Sequence, residues 1–338
     1  MVQAMDRKVL LQDWLHRVLP GERFELTTAS ADASFRRYFR VHLSGRSLIA
    51  MDAPPPQEDC RPFVHAAEAL LRAGLNVPRV LAQDVEQGFL LLSDLGDETY
   101  LSALNVATAD ELYRDAVTAL IRMQAASRPE VFPAYDEALL TREMQLFPDW
   151  YIGRHLDVTL TDAESQVLQQ TFDLLNRNIL AQTRVYVHRD YHSRNLMVCR
   201  DAEGSNPGVL DFQDAVYGPI SYDLVSLFKD AYIAWDEERV LDWTVRYWQA
   251  ARAAGLSVPP DFADFYRDFE WMGAQRHIKI LGIFARLYHR DGKDGYLKDM
   301  PLVMDYLRRA CARYIELRPL LRLLDRLENS QPHVGYTF

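Results

Sequence analysis

The hydrophobic period of this chain changes near residue 95, and that change restricts it to a fold with a strand-rich first part and a mainly helical second part. Before it, apolar residues fall in short alternating runs, 35–41 and 47–51, separated by Ser44-Gly45-Arg46, which predicts a β-hairpin. Pro54-Pro55-Pro56 stops the sheet, residues 61–73 read as a helix ended by Gly74, and Pro78 opens two more strands over 79–83 and 88–93. After Ser93-Asp94-Leu95-Gly96 the apolar spacing lengthens to three and four, first over 110–126 and 162–181, and helices continue to about residue 327. One strand-rich interval, 185–214, interrupts them. The expected fold is α+β, with residues 1–95 as a small β-rich N-terminal lobe and 96–338 as a larger, mainly helical C-terminal lobe.

Composition excludes several function classes. A net charge of −10 over 338 residues repels nucleic acid and anionic membranes, so neither is an expected partner. Cys60, Cys199 and Cys311 are far apart and make no C-x-x-C pair suited to redox chemistry or zinc, which points to a reducing cytoplasm. Residues 1–19 place Leu10, Leu11, Trp14, Leu15, Val18 and Leu19 among Asp6, Asp13 and His16, the pattern of an amphipathic helix without a signal-peptide h-region. No stretch approaches the roughly 18 consecutive apolar residues of a membrane span.

The chemistry is concentrated in His188-Arg189-Asp190-Tyr191-His192-Ser193-Arg194-Asn195, which has the H-R-D-x-x-x-x-N spacing of phosphoryl-transfer catalytic loops. An aspartate, Asp190, must accept the proton of an attacking hydroxyl. Asn195, at the far end of the same loop, offers a neutral oxygen to magnesium. Residues 196–198 read as a strand, 200–207 as a polar turn and 208–210 as the returning strand, which delivers Asp211 beside Asn195. Asp211 adds the anionic ligand and leaves room for phosphate oxygens and water. His188 is expected to brace the loop by hydrogen bonding. A zinc site built from His188, His192 and Asp190 would lack further soft ligands nearby.

The segments 187–197 and 209–219, the second reading Val209-Leu210-Asp211-Phe212-Gln213-Asp214-Ala215-Val216-Tyr217-Gly218-Pro219, resemble the aminoglycoside phosphotransferase branch of the protein-kinase-like fold. The likeness spans both lobes. Within that branch the two segments are similar to the anomeric kinases of N-acetylmuramate and N-acetylglucosamine in bacterial cell-wall recycling. The resemblance implies a bilobal fold with ATP in the cleft, Asp190 as catalytic base, and Asn195 with Asp211 on magnesium.

The sequence departs from the kinase pattern in one place. Kinases carry a lysine on the third strand that pairs the α- and β-phosphates with a helix glutamate. The lysines here are Lys8, Lys229, Lys279, Lys293 and Lys298, none of them in 47–52, so Glu68 on the following helix lacks that partner. Arg36 and Arg40 share one strand face and are candidates for the phosphates, against the alternative that they solvate an exposed surface. The turn 29–34 holds the place of the Gly-rich loop without a glycine, leaving Ser34 and its small neighbours to cradle phosphate. Ser93, Asp94 and Leu95 form the expected hinge whose backbone meets adenine.

For the acceptor, Phe262, Phe265, Phe269, Met272, Ile280, Ile283 and Leu287 form an apolar helix stripe with Arg276 in its gap. A guanidinium there must meet a protein carboxylate or an anionic ligand. Arg276 and His277 point to an acceptor with a carboxylate or amide oxygens, both of which N-acetylmuramate carries, whereas a polycationic aminoglycoside wants an acidic pocket. Trp150, Tyr151, Tyr217 and Trp271 offer flat faces for a sugar ring or belong to the core. Asp214 and Asp223 are candidates for sugar hydroxyls, with Asp223 alternatively holding the catalytic core together. Kinases of the same branch acting on aminoglycosides, choline or homoserine, and a nucleotide-binding pseudokinase, are the rival readings.

Overall fold

The computed structural model describes residues 7–31, 35–200 and 206–329. Those residues pack as two compact units, the ones that fall in Met1–Met123 with Arg194–Ala215 and the ones that fall in Gln124–Ser193 with Val216–Phe338. The expected position of Ser34 lies outside the described residues.

The first unit is built on a five-stranded antiparallel sheet. Its strands are β1 (Glu25–Ala31), β2 (Arg37–Leu43), β3 (Arg46–Asp52), β4 (Val80–Asp84) and β5 (Phe89–Ser93), in the spatial order β1-β2-β3-β5-β4. The β2–β3 hairpin has the predicted turn, with Gly45 at φ +79°, a conformation glycine adopts without steric cost. One sheet face buries Phe39, Val41, Leu48, Ala50, Phe89 and Leu91 against Leu11, Trp14 and Leu15 of α1 (Arg7–Val18). Each of those three α1 side chains is worth about 1.5–3 kcal/mol when fully buried. The opposite parity, which includes Tyr38, Arg40, Ile49 and Leu92, faces a cavity instead. α2 (Arg61–Arg72) buries Phe63, Ala66, Ala67 and Leu70, with Phe63 on the cavity wall 4.7 Å from the ring of Phe212, and α3 (Tyr100–Ala103) and α4 (Ala109–Ala125) follow in sequence. The sheet closes at Ser93, two residues before the expected lobe boundary, while the compact unit built around it also takes in α3, most of α4 and the hairpin of β7 (Leu196–Met197) with β8 (Gly208–Val209).

The second unit is organised on α9 (Phe262–Asp291), a 30-residue helix capped by Asp261, whose side chain accepts from the Ala263 N–H at 2.8 Å, and closed by Gly292 at φ +67°. Around it lie α5 (Glu137–Met144), a wide-turned helix Phe147–His155, α6 (Asp162–Ala181), α7 (Tyr222–Phe228), α8 (Glu237–Ala253), α10 (Met300–Arg313) and α11 (Arg318–Asn329). The α9 backbone comes so near Leu146 that a Cβ at Gly282 would sit 2.4 Å from the Leu146 carbonyl carbon. A two-stranded ladder of β6 (Arg184–Val187) with β9 (Val216–Pro219) leads into the H-R-D segment. Unlike an ordinary surface helix, α9 buries Glu270, Gln275, Arg276, His277 and Lys279 along with its apolar residues. The charges among them are paired: Glu270, for example, meets Lys229 at 3.2 Å and Arg313 at 3.0 Å. Among the described residues no helix is long and apolar enough to cross a membrane.

Candidate active site

In the first unit a cavity of about 550 Å³ is lined by Tyr38, Arg40, Ile49, Leu92 and Phe63, by Ser93 to Asp97, and by Arg194, Asn195, Met197 and Leu210 to Phe212. That size suits a nucleotide-sized ligand. The segment after β5 is fixed from the sheet. Arg40 donates from Nε to the Asp94 carboxylate at 2.7 Å and from Nη2 to the Gly96 carbonyl at 2.9 Å, and the Ser47 hydroxyl donates to Asp94 at 2.7 Å. Ser93 turns its hydroxyl to the Arg79 N–H, and the Leu95 carbonyl is 3.7 Å from the Cys199 thiol. Arg40 therefore fixes the segment after β5. Arg37 is bound to the fully buried Asp52, which Arg7 shares, and Arg36 stands 3.9 Å from Asp211 and 4.0 Å from Glu58. Glu68 lies on the solvent side of α2, with 60% of its side chain exposed, and pairs with Arg72.

The hairpin expected to deliver Asp211 is present. Leu196 pairs with Val209 and Met197 with Gly208, and the Leu210 N–H donates to the Asn195 carbonyl at 2.9 Å. The Asn195 amide consequently reaches Asp211 at 3.3 Å, and Gln213 donates to the other Asp211 oxygen at 2.8 Å. Asp211 has φ +62°, a left-handed conformation that costs about 1–3 kcal/mol in a non-glycine residue. One carboxylate and one amide oxygen, both hard donors at the cavity wall, suit magnesium, which takes few protein ligands and completes its shell with phosphate and water. Turning the Asn195 amide about its last bond presents the oxygen rather than the nitrogen to such an ion.

In the second unit the H-R-D segment is held from behind by Asp223 of α7. Its carboxylate accepts from the His188 N–H at 2.6 Å and the Arg189 N–H at 2.9 Å. Arg189 is left-handed at φ +77°, and Arg276 secures its carbonyl with a 2.7 Å bond from Nη1. Burial pushes the Asp223 carboxyl up to about 7, against the pull of those two N–H donors and of Arg276. His188 is fully buried, and its Nδ1 accepts from the Asp190 N–H at 3.2 Å.

Asp190 itself keeps 42% of its side chain exposed and has the Arg276 guanidinium 3.8 Å away. Partial removal from water works to raise its pKa, but Arg276, Lys279, His192 and Arg189 together outweigh that and bring it down to about 2. Behind them Glu143 of α5 binds Lys279 at 3.0 Å, the Arg189 guanidinium and the Tyr135 hydroxyl. Burial alone would push Glu143 up; Lys279, Arg189 and the Tyr135 hydroxyl more than reverse it. The Tyr222 hydroxyl accepts from both Arg276, at 3.0 Å, and Lys279, at 2.9 Å. The result is an ionised, accessible carboxylate on a rigid base of paired charges.

The remaining expected residues are distributed. Asp214 is exposed in the first unit, 3.4 Å from Gln213. Tyr217 on β9 and Trp150 and Tyr151 on the wide-turned helix are partly buried, Tyr151 stacking on Phe147 at 5.1 Å. Trp271 is interior, edge-on to Tyr314 at 5.9 Å. His277 is buried and stacked on Tyr306 at 5.1 Å, and burial holds its ring pKa well below the usual imidazole value.

Residues 25–259 match the sequence model of the phosphotransferase enzyme family. The chain belongs to that family. This phosphotransferase is 55% identical to a Pseudomonas aeruginosa protein named N-acetylmuramate/N-acetylglucosamine kinase, over 90% of this chain and 88% of the relative. It is 49% identical to a Neisseria meningitidis protein of the same name, over 99% and 100%. Its fold is that of solved aminoglycoside phosphotransferases: ADP-bound APH(2'')-Ib superposes with a TM-score of 0.55 at 15% identity, covering 88% of this chain and 97% of that one. The sequence reading of this phosphotransferase did not pick out Glu143, Tyr135, Tyr222, Lys279 or Glu58. Lys279 carried a usable signal, being a second cation one helical turn after Arg276 within a buried stripe. Glu143 carried none.

Proposed function

We propose that this chain transfers the γ-phosphate of ATP to the anomeric hydroxyl of N-acetylmuramate and N-acetylglucosamine, an amino-sugar kinase reaction that serves peptidoglycan recycling in the cytoplasm. The observation that carries the phosphoryl-transfer reading is Asp190, an accessible carboxylate kept ionised by Arg276 and Lys279 at the start of a phosphotransferase loop. The names of the two relatives supply the acceptor, and the ADP in the aminoglycoside phosphotransferase supports an adenine nucleotide.

In this reading the first unit holds ATP, with adenine against the backbone of Ser93 to Leu95 and the phosphates toward Asn195 and Asp211. Magnesium bound by Asn195 and Asp211 would neutralise charge developing on the phosphate oxygens. Asp190 accepts the proton of the sugar hydroxyl. A carboxylate with a pKa of about 2 is a weak base, and it suits an anomeric hydroxyl, the most acidic on a sugar, in a loose transition state where proton removal comes late. The cations around Asp190 disfavour a polycationic acceptor and tolerate a lactyl carboxylate. Trp150, Tyr151 and Tyr217 keep partly accessible rings and are assigned to the sugar ahead of the interior Trp271 and His277, with Asp214 a further candidate for its hydroxyls.

The test is turnover with ATP and magnesium on N-acetylmuramate, N-acetylglucosamine, an aminoglycoside, choline and homoserine, with the product read by phosphorus NMR. Phosphate on the anomeric oxygen of the two amino sugars is the expected result. Phosphate on the 6-hydroxyl, or preference for another acceptor, would replace this reading.

A further inference from the structure

We propose that Arg36 and Glu58 form the phosphate-binding ion pair of this chain, the task that a third-strand lysine and a helix glutamate perform in protein kinases. The inference rests on the reading that the first unit binds ATP, and it assigns residues that a kinase alignment would miss.

The usual positions cannot do it. On β3 the residues of cavity parity are Ser47, whose hydroxyl is taken by Asp94, Ile49, which lines the cavity, and the fully buried Met51, none of them a cation. Among the described residues of the first unit the one lysine is Lys8, which sits on α1 with its ammonium 6.0 Å from the centre of the Phe39 ring, on the opposite face of the sheet. On α2, Glu68 is turned to solvent because the helix buries Phe63, Ala66, Ala67 and Leu70, and Glu68 lies off that stripe.

The arginines before and within β2 are separated by their carboxylate partners. Arg37 is held by Asp52, on the face away from the cavity, and Arg40 by Asp94 at the hinge. Arg36 continues the parity of Tyr38 and Arg40, one step before the strand begins. It lies between Glu58 at 4.0 Å and Asp211 at 3.9 Å, with only 12% of its side chain exposed. Glu58 is itself anchored, accepting from the Phe35 N–H at 3.1 Å. In this proposal Glu58, just upstream of α2, takes the part of the helix glutamate, and the guanidinium of the residue before β2 takes that of the ammonium. The planar fork suits two phosphate oxygens at once.

The experiment is titration calorimetry of the full chain with ADP and with adenosine, with magnesium and without any sugar, so that an error in the acceptor leaves it unaffected. Arg36→Ala should weaken ADP roughly 10- to 100-fold and change adenosine by less than about two-fold. Arg36→Lys should recover part of the loss. Arg36→Gln covers the case in which the alanine variant does not fold. Glu58→Gln should weaken ADP in the same direction, and combining it with Arg36→Ala should add little, since the two act as a pair. Arg194, which lines the cavity with Arg40, should combine additively with Arg36. Parallel losses for adenosine and ADP, a Glu68→Gln loss equal to that of Glu58→Gln, or full additivity of Arg36 and Glu58 would each overturn the proposal. No binding of adenine nucleotide to the unsubstituted chain would overturn it together with the reading on which it rests.

Discussion

Arg276 stands 3.8 Å from the carboxylate of Asp190 while its other terminal nitrogen holds the carbonyl of Arg189. A single guanidinium thereby fixes the backbone immediately before Asp190 and sets the charge of the side chain itself. Asp223 clamps the same turn from the amide side, through the N–H groups of His188 and Arg189. The left-handed Arg189 is held between the two.

Asp190→Asn removes the proposed proton acceptor but keeps the shape. It should lower kcat by about 100-fold or more, with ADP affinity changed little. Because the wild-type carboxyl has a pKa of about 2, it should give no acid limb in kcat/KM above about pH 4. Near wild-type turnover in the variant would remove Asp190 from the chemistry.

Arg276→Leu leaves the apolar stripe of α9 continuous and takes away the donor to Arg189 and Tyr222. With that cation gone, the Asp190 pKa rises and its acid limb moves to higher pH. The loss in kcat/KM should be about ten-fold or more and similar for N-acetylmuramate and N-acetylglucosamine, because the contacts broken lie within the protein. A loss confined to N-acetylmuramate would instead give Arg276 the lactyl carboxylate to read.

These two residues also mark how far the sequence could be read. The β2–β3 hairpin, α2 and the hairpin that carries Asp211 follow from alternation, proline stops and glycine turns, all of them local signals. Arg276 stood out as a charge in a buried stripe, which says that a partner exists but not which one. Its partners come from the Arg189 carbonyl and from Tyr222 on α7, and those of its neighbour Lys279 from Tyr222 and from Glu143 on α5, segments remote in sequence whose approach is decided by packing. Similarly, alternation put Arg36 and Arg40 on one face, whereas the register of the sheet decided that Arg40 meets Asp94. Glu68 was misleading because its position after the third strand fits the kinase pattern, while its helical phase turns it outward.

Glu143→Gln tests the buried charge network. The carboxylate compensates Lys279 and Arg189, so its neutralisation leaves two cations short of a partner and should cost about 3–5 kcal/mol. The folded pKa of Glu143 lies below its unfolded value, so its contribution is fully present above the unfolded pKa of about 4.3 and is lost as pH falls through the lower folded value. Unfolding midpoints measured between about pH 3 and 7 should therefore drop less steeply on the acid side in the variant. Equal acid sensitivity in both proteins would mean that other carboxylates govern it.

Asp211→Asn separates the metal from the rest of the nucleotide site. In the wild-type chain magnesium should tighten ADP if, as proposed, the Asp211 carboxylate and the Asn195 amide on the cavity wall supply its hard oxygen ligands. The variant keeps the size of the side chain, and asparagine tolerates the left-handed φ of +62° at this position better than most residues, so the hairpin should survive. It removes the anionic ligand. Affinity for ADP with magnesium should fall about 10-fold or more, whereas affinity in EDTA should stay level or improve, since a negative charge facing the phosphates has gone. Calorimetry in both buffers reads the two effects independently. If the asparagine variant kept the full magnesium enhancement, the metal would have to be held elsewhere, and Asp211 would serve mainly to fix Gln213 and Asn195 at the end of the hairpin.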